Sequence, residues 1–587
     1  MASSKSMLGP VRLVAIACLC WCNLAYASTL SYSVEGVRGE LKENVEAWLG
    51  EKPKSTRERS NFIASAEERT RSSLKALGYY RPDINIAIDR STEPWKMVVE
   101  VAENHAVLIN EIDLLLLDAA KVDPEFVSLI NSLPFDLGDT LNHGVYENVK
   151  KQLSALAQQR GYFDGSFKRA RVEVNAEAST AKISLHYASG QRYKMGHIDL
   201  DNALLDTSWF DSVLQFETGD WFDWTPLQKL RSELQQTRYF SSVTVKPLID
   251  QREDGEVPIV VELSAVNRHS FEFGLGYSTD TEERVSFGWK TPLINRYGHS
   301  QETRLEYSAV NPSGRFNYNI PLSHPLNDVL QLSAYLSDQE FGDITSLQKG
   351  VQVRREIKSG SWITSYSLRT LDESWEEGAR RQSSSYVLPG VSFSHKTRTG
   401  SLVDPESGFH QVYQLEGGYG DLGSEVDLIR AYSNFRYVTP LGERHRLVAR
   451  AELGAVFIAD EDREKLAPSL SFFTGGSQSL RGFDYQSIGV DTQVPTEDGS
   501  TAEIVLGGDR LVGGSIEYQY YVNESWRAAV FADAGDAFDE GEFDAHYGVG
   551  FGAHYLSPVG AIRLELATDL SEDSPSWRLH LNIGAEF

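Results

Sequence analysis

Cysteine is nearly missing from this chain: of 587 residues only Cys18, Cys20 and Cys22 carry a thiol, all close to the N-terminus. A disulfide framework and a thiolate metal site are therefore excluded for the rest of the chain. Long apolar runs are missing as well. The densest one beyond the first segment, Leu114 to Leu117, is flanked by Asp113 and Asp118, far short of the roughly 20 residues a membrane helix needs. That shortage leaves a membrane β-barrel open, because alternating strands never raise bulk hydropathy. Positive charge is scarce, with 56 Lys and Arg against 83 Asp and Glu and a formal net charge of −27. No nucleic-acid partner is expected, since one would need a basic face. Catalytic signatures are also lacking: there is no His-Glu-x-x-His, no Gly-x-Ser-x-Gly and no phosphate loop. The histidines are scattered without metal-ligand spacing. The chain is read as having no catalytic residue, no metal and no cofactor.

What is present begins with an export signal over residues 1–27. Lys5 and Arg12 supply positive charge, Leu13 to Leu24 is an apolar core, and Ala25-Tyr26-Ala27 is an A-x-A cleavage site. A lipoprotein would need a lipobox before Cys18 or Cys20, and Ala15-Ile16-Ala17 is a poor one.

From there to about Ala265-Val266 one pattern occurs three times: an amphipathic helix, a Gly/aromatic or paired-aromatic turn, then two alternating strands. The first copy has Phe62, Ile63, Ala66, Thr70, Leu74 and Leu77, the turn Gly78-Tyr79-Tyr80, then Ile84, Ile86, Ile88 and Val99, Val101. The second has Val145, Val149, Leu153 and Leu156, then Gly161-Tyr162-Phe163, then Val172, Val174 and Ile183, Leu185, Tyr187. The third has Leu227, Leu230 and Leu234 before Tyr239-Phe240, then Val243, Val245 and Ile259, Val261, Leu263. These copies resemble POTRA domains, of order β-α-α-β-β, although the third carries Arg238 where that turn usually has glycine. The glycine suits a left-handed helix cap, and the aromatics suit a core. Expected boundaries are 28–104, 105–188 and 189–265. The exposed sheet edges could add a strand from a partner.

Beyond residue 265 the text turns to period two, rich in Gly and aromatics. Phe271, Phe273, Leu275 and Tyr277 alternate with Glu272, Gly274 and Gly276; similar runs are Leu332 to Leu336, Val412 to Tyr419, Val448 to Val456, Ser515 to Tyr521 and Ile562 to Ala567. Apolar side chains would face lipid, with Gly, Ser and charges facing a wet lumen. The run Leu579, Leu581, Ile583, Ala585, Phe587 closes the chain in the same way. The fold expected is α+β domains followed by an all-β transmembrane barrel over 266–587, of about 16 antiparallel strands. Glu373 to Glu377 and Asp460 to Glu464 read as external loops or plain solvated turns. Gly548, Gly550 and Gly552 alternate within one strand and read as a smooth lumen face.

Three segments of the barrel region carry a resemblance. Phe472-Phe473-Thr474-Gly475-Gly476-Ser477-Gln478-Ser479-Leu480-Arg481-Gly482-Phe483 resembles the Arg-Gly-Phe/Tyr loop of the outer-membrane assembly-factor superfamily, the POTRA-plus-barrel transporters. Phe531-Ala532-Asp533-Ala534-Gly535 is similar to that superfamily's Phe-x-Asp-x-Gly strand. Ser557-Pro558-Val559-Gly560-Ala561-Ile562-Arg563 resembles its Pro-x-Gly-Pro-x-Arg hairpin with Ala561 in place of proline, and Asp404-Pro405-Glu406-Ser407-Gly408 its short periplasmic turn. The resemblance implies that the loop folds into the lumen and that Arg481, with Gly482 and Phe483, pairs an acidic residue of the wall. Asp533 is the expected partner and Glu517 the second choice. A buried guanidinium demands such a partner, and a carboxylate satisfies its fork bidentately.

Barrel-assembly proteins of this superfamily carry more POTRA domains, and two-partner secretion transporters fewer, behind a plug helix. Three such domains resemble the outer-membrane subunits of translocation and assembly modules. That resemblance implies insertion of outer-membrane proteins such as autotransporters, a TamB-like inner-membrane-anchored partner, unfolded clients, contact with outer-membrane lipid and a role in phospholipid transport. The alternative is a two-partner secretion transporter that passes an unfolded client through its lumen. A lateral gate is implied where the first barrel strand meets the last. Gly274 and Gly276 lack side chains for cross-strand packing there, Gly584 permits a kink near the end of the closing strand, and Phe587 ends it; the alternative is that these glycines are ordinary lumen-facing positions.

Overall fold

The computed structural model describes residues 29–201, 205–401, 404–496, 500–557, 560–571 and 576–584. The export signal, Pro558, Val559 and Phe587 lie outside the described residues. Two compact units divide the chain. The first takes in everything up to Met195, with Gly219–Trp224 and Ile249–Val257; the second takes in the remainder.

The N-terminal region repeats one topology. Strand β1 (Leu30–Glu35) leads to helices α1 (Gly39–Leu49) and α2 (Thr56–Ala76) and to strands β2 (Asp83–Asp89) and β3 (Trp95–Ala102). The second set is β4 (Leu108–Leu117), α3 (Pro124–Asn131), α4 (His143–Gln159), β5 (Ser166–Asn175) and β6 (Thr180–Ala188). The third is β7 (Lys194–Asp201), α5 (Thr207–Asp211), α6 (Trp224–Gln236), β8 (Phe240–Pro247) and β9 (Glu256–Ala265). Each makes a three-stranded sheet with its last strand in the middle, in the orders β1-β3-β2, β4-β6-β5 and β7-β9-β8.

The main helices of the first two copies form where the apolar period predicts them, and the start of each is marked by a cap. Ser55 accepts from the backbone N–H of Glu58, and Asn142 accepts from Gly144 and Val145. One face of each goes into a small core: Phe62, Ala66 and Leu74 pack with Val99 and Val101, and Val149 and Leu153 with Ile183 and Leu185. The Gly/aromatic turns do more than cap. Gly78 (φ +93°) and Gly161 (φ +80°) are left-handed, and each is crowded. A Cβ at Gly78 would lie 2.4 Å from the Leu141 carbonyl oxygen, and one at Gly161 would lie 2.6 Å from Phe222 Cβ. The carbonyls of both glycines also accept hydrogen bonds from downstream amides, Val107 and Tyr193. Each glycine therefore seats the chain that follows its own domain. The third copy adopts the same left-handed conformation without glycine, at Arg238 (φ +59°).

Strands β10 (Ser270–Ser278), β11 (Glu282–Thr291), β12 (Ser300–Ser308), β13 (Ser313–His324), β14 (Asp328–Phe341), β15 (Ile344–Ser359), β16 (Trp362–Glu377) and β17 (Arg380–Gly400) begin a barrel. It continues through β18 (Pro405–Gly418), β19 (Leu428–Pro440) and β20 (His445–Ile458). A hairpin outside the wall follows, β21 (Val490–Pro495) with β22 (Thr501–Leu506). Then β23 (Arg510–Tyr521), β24 (Trp526–Phe538), β25 (His546–Ser557), β26 (Gly560–Asp569) and β27 (Trp577–Gly584) complete a closed antiparallel barrel of sixteen strands.

Alternation explains the wall. Along β10, Phe273 is 81% and Leu275 86% exposed on the outer face, while the glycines between them face in, and a Cβ on Gly274 would strike the Ser286 hydroxyl. Along β24, Arg527, Ala529, Phe531 and Asp533 are buried inward and Val530 stands outward. One external loop needs correction. Glu373 to Glu377 is the end of β16, paired to β17 out to Glu377↔Arg380. Glu373 is buried, accepting from Ser346 and from Ser469. Asp460–Lys465 forms a 3-10 turn in the long connection after β20.

A candidate lumen lock and seam

The connection between β20 and β23 enters the barrel and delivers Arg481, which is 1% exposed. Its Nε donates to Asp533 Oδ2 at 2.7 Å and its Nη2 to Asp533 Oδ1 at 2.8 Å, a bidentate fork. Its backbone N–H adds a third bond to the same carboxylate at 3.0 Å. Nη1 donates to Glu517 Oε2 at 2.6 Å and to Glu565 Oε1 at 3.2 Å, and Nη2 also reaches the Ser515 hydroxyl. The guanidinium lies 3.3 Å above the centre of the Phe531 ring.

Local sequence builds this seat. Asp533, Phe531 and Glu517 sit at inward positions of neighbouring strands, with Ser515↔Asp533 and Glu517↔Phe531 as register partners. The alternating glycines of β25 supply the room. A Cβ on Gly548 would lie 1.9 Å from the Arg481 carbonyl oxygen, one on Gly550 2.4 Å from the Phe531 ring, and one on Gly552 2.8 Å from Glu565. Gly482 is left-handed (φ +100°), and a Cβ there would press the backbone of Thr568 and Asp569 at 2.9 Å. Phe483 meets His546 edge-on at 5.5 Å. The loop thus brings Arg481 to the wall residues Asp533 and Glu517, Gly482 to Thr568 and Asp569 and Phe483 to His546.

Several participants lie outside the strings that carry the resemblance. Glu565 and His554, bonded to each other at 3.0 Å, stand on different strands. Glu517, His554 and Glu565 bring potential metal-ligand atoms within 4.8 Å of one another, and Arg481 Nη1 is the cation that bridges the two carboxylates. Arg450, on β20, donates to the Gln478 carbonyl of the loop at 2.6 Å. From Glu517 the polar chain continues: Gln519 donates to Glu517, Arg527 to Gln519 at 3.0 Å and to Asp404 at 3.2 Å, and Arg446 to Asp404 at 2.8 Å. An inward Glu or His flanked by outward apolar residues, such as Glu565 between Leu564 and Leu566, is the signal that would have found them.

The seam has a different character. β10 pairs with β11 from Ser270↔Lys290 to Ser278↔Glu282; among the described residues its register with β27 is the single pair Ser278↔Asn582. The Thr279 N–H donates to the Leu581 carbonyl at 3.1 Å beside it. Gly274 and Gly276 lie on β10 away from that pair, and Gly584 pairs with Ala561 of β26.

Comparison with known proteins agrees with this architecture. The Omp85 superfamily domain matches residues 267–587, and the POTRA domain TamA domain 1 matches residues 31–103. The outer membrane protein assembly factor BamA of Nitratidesulfovibrio vulgaris is 25% identical over 400 residues, 64% of this chain and 48% of that protein. The match thus spans about half the length of that relative. The crystal structure of BamA from Haemophilus ducreyi lacking POTRA domains 1-3 superposes with a TM-score of 0.70 at 17% identity, covering 81% of this chain and 99% of that one. That likeness is one of fold. The chain belongs to the Omp85 superfamily, with a TamA-type POTRA domain at its N-terminal end, and resides in the outer membrane with its POTRA domains in the periplasm.

Proposed function

We propose that this protein is the outer-membrane, TamA-like subunit of a translocation and assembly module, an insertase for outer-membrane proteins such as autotransporters. The observation that carries the reading is the seam. A closed barrel exposes no strand edge, so a machine that hands strands to lipid must open one. Among the described residues one strand pair of the wall is joined at a single register position, beside an outer face that exposes Phe271, Phe273 and Leu275. A freed edge would template an incoming strand through backbone groups, which suits clients of unrelated sequence. The TamA-type match of residues 31–103 supports the choice within the superfamily. In this reading the domains at 28–104, 105–188 and 189–265 reach into the periplasm toward a TamB-like partner, and phospholipid is a second cargo of the pair.

Reconstitution tests the activity. Purified full chain in liposomes is expected to accelerate the folding of an added unfolded autotransporter barrel by at least about tenfold over empty liposomes, read by protease protection. Passage of an unfolded exoprotein to the far side, with no acceleration of barrel insertion, would instead favour the two-partner secretion reading.

A further inference from the structure

The loop that carries Arg481 also touches both strands of the seam. On the β10 side, Asp280 Oδ2 accepts from the Ser477 backbone N–H at 2.9 Å and from the Ser477 hydroxyl at 2.6 Å. That carboxylate side chain is only 8% exposed. Gly476, left-handed at φ +103°, makes room for it, since a Cβ there would lie 3.2 Å from the same Oδ2. On the β27 side, the Gly482 N–H donates to His580 Nε2 at 3.2 Å, and Asp484 pairs with Arg578. Across the seam itself, His580 Nδ1 lies 3.9 Å from Asp280 Oδ1. Between the two grips sits Arg481, fixed by Asp533 to β24, three strands from β27.

We propose that Asp280 is a positioning residue of the gate: through Ser477 it fastens the lumen loop to the end of β10, so that Gly476–Asp484 clasps β10 to β27 and the seam parts only when this grip lets go. The inference deepens the insertion reading and rests on it for its biological meaning. The physical case is one of unequal bonds. Among the described residues the seam's own backbone pairing is brief and between neutral groups, whereas the bonds to Asp280 are charge-assisted and shielded, and charge-assisted bonds are the stronger kind. A strand held mainly through a third element follows that element. Loop position and seam opening are therefore one coupled equilibrium, with Arg481 at its centre.

Amide hydrogen exchange of the full chain in lipid nanodiscs tests this. Asp280→Ala is expected to speed exchange in the segment 577–584, on the other strand, by about tenfold, the behaviour of a local opening made easier. Ser477→Ala, which leaves the carboxylate and one donor in place, should give the same pattern at about threefold, and a segment far from the seam, 405–418, should be unaffected. A merely local role for Asp280 would raise exchange in 279–282 alone, and that result overturns the proposal. So does unchanged exchange at 577–584 in Ser477→Ala, which decides the matter if Asp280→Ala does not fold. Because exchange is read without any client, faster seam exchange together with client insertion no faster than in empty liposomes would refute the insertion reading and leave the clasp standing. Unaltered exchange refutes the clasp whatever insertion does.

Discussion

Each of the three guanidinium nitrogens of Arg481 donates to an oxygen of the barrel wall, in a site closed to bulk water. Removing one partner of such a buried pair leaves a charge without compensation, which costs roughly 3–5 kcal/mol. Arg481→Ala is expected to destabilise the folded-in loop by about that amount, and Asp533→Ala similarly. Since the two side chains satisfy one another, the double variant should cost less than the sum of the singles, by at least about 1 kcal/mol in a thermal or denaturant cycle. Strict additivity would mean that they do not interact. The expectation that Arg481 pairs with a wall carboxylate could be made from the text because both members lie in recognisable strings. Glu565 and His554 could not be found that way. Glu565 meets Arg481, and His554 meets Glu565, only through the register of β25 on β26 and the fold of a long loop.

At the level of elements, the three helical repeats and the period-two run were readable, because each depends on a local spacing of apolar residues. The β21–β22 hairpin and the long outer end of β16 were not. Glu373 looks like a solvent residue in sequence, yet Ser346 and Ser469 satisfy it. The turn at Arg238 is instructive in the same way. Its neighbours carry glycine because a left-handed residue there costs an L side chain about 1 kcal/mol, and because Gly78 and Gly161 leave no space for a Cβ. At Arg238 the left-handed conformation is retained, so Arg238→Gly should stabilise the third domain by about 0.5–1 kcal/mol. Denaturant unfolding checks it; a loss of stability would show that the Arg238 side chain contributes more than its backbone strain removes.

Along the chain, POTRA domains precede a barrel whose first and last strands share, among the described residues, a single register pair. In the chain, the first POTRA domain lies farthest from the barrel. Deleting residues 28–104 should abolish capture of a TamB-like partner in crosslinked envelopes while leaving the barrel inserted. Undiminished capture would move the docking site to another domain. The central claim, that the seam between β10 and β27 opens to deliver strands into the membrane, has a more direct test. The only cysteines are Cys18, Cys20 and Cys22, all in the export-signal region, so a pair placed at the register partners Ser278 and Asn582 meets no competing thiol downstream. The measurement is the rate of client insertion by Ser278→Cys/Asn582→Cys protein, oxidised and then reduced, with the crosslink verified on a gel. The account predicts that insertion falls to the level of empty liposomes in the locked barrel and recovers on reduction. Full insertion by a verified locked barrel would contradict it and favour a route through the lumen.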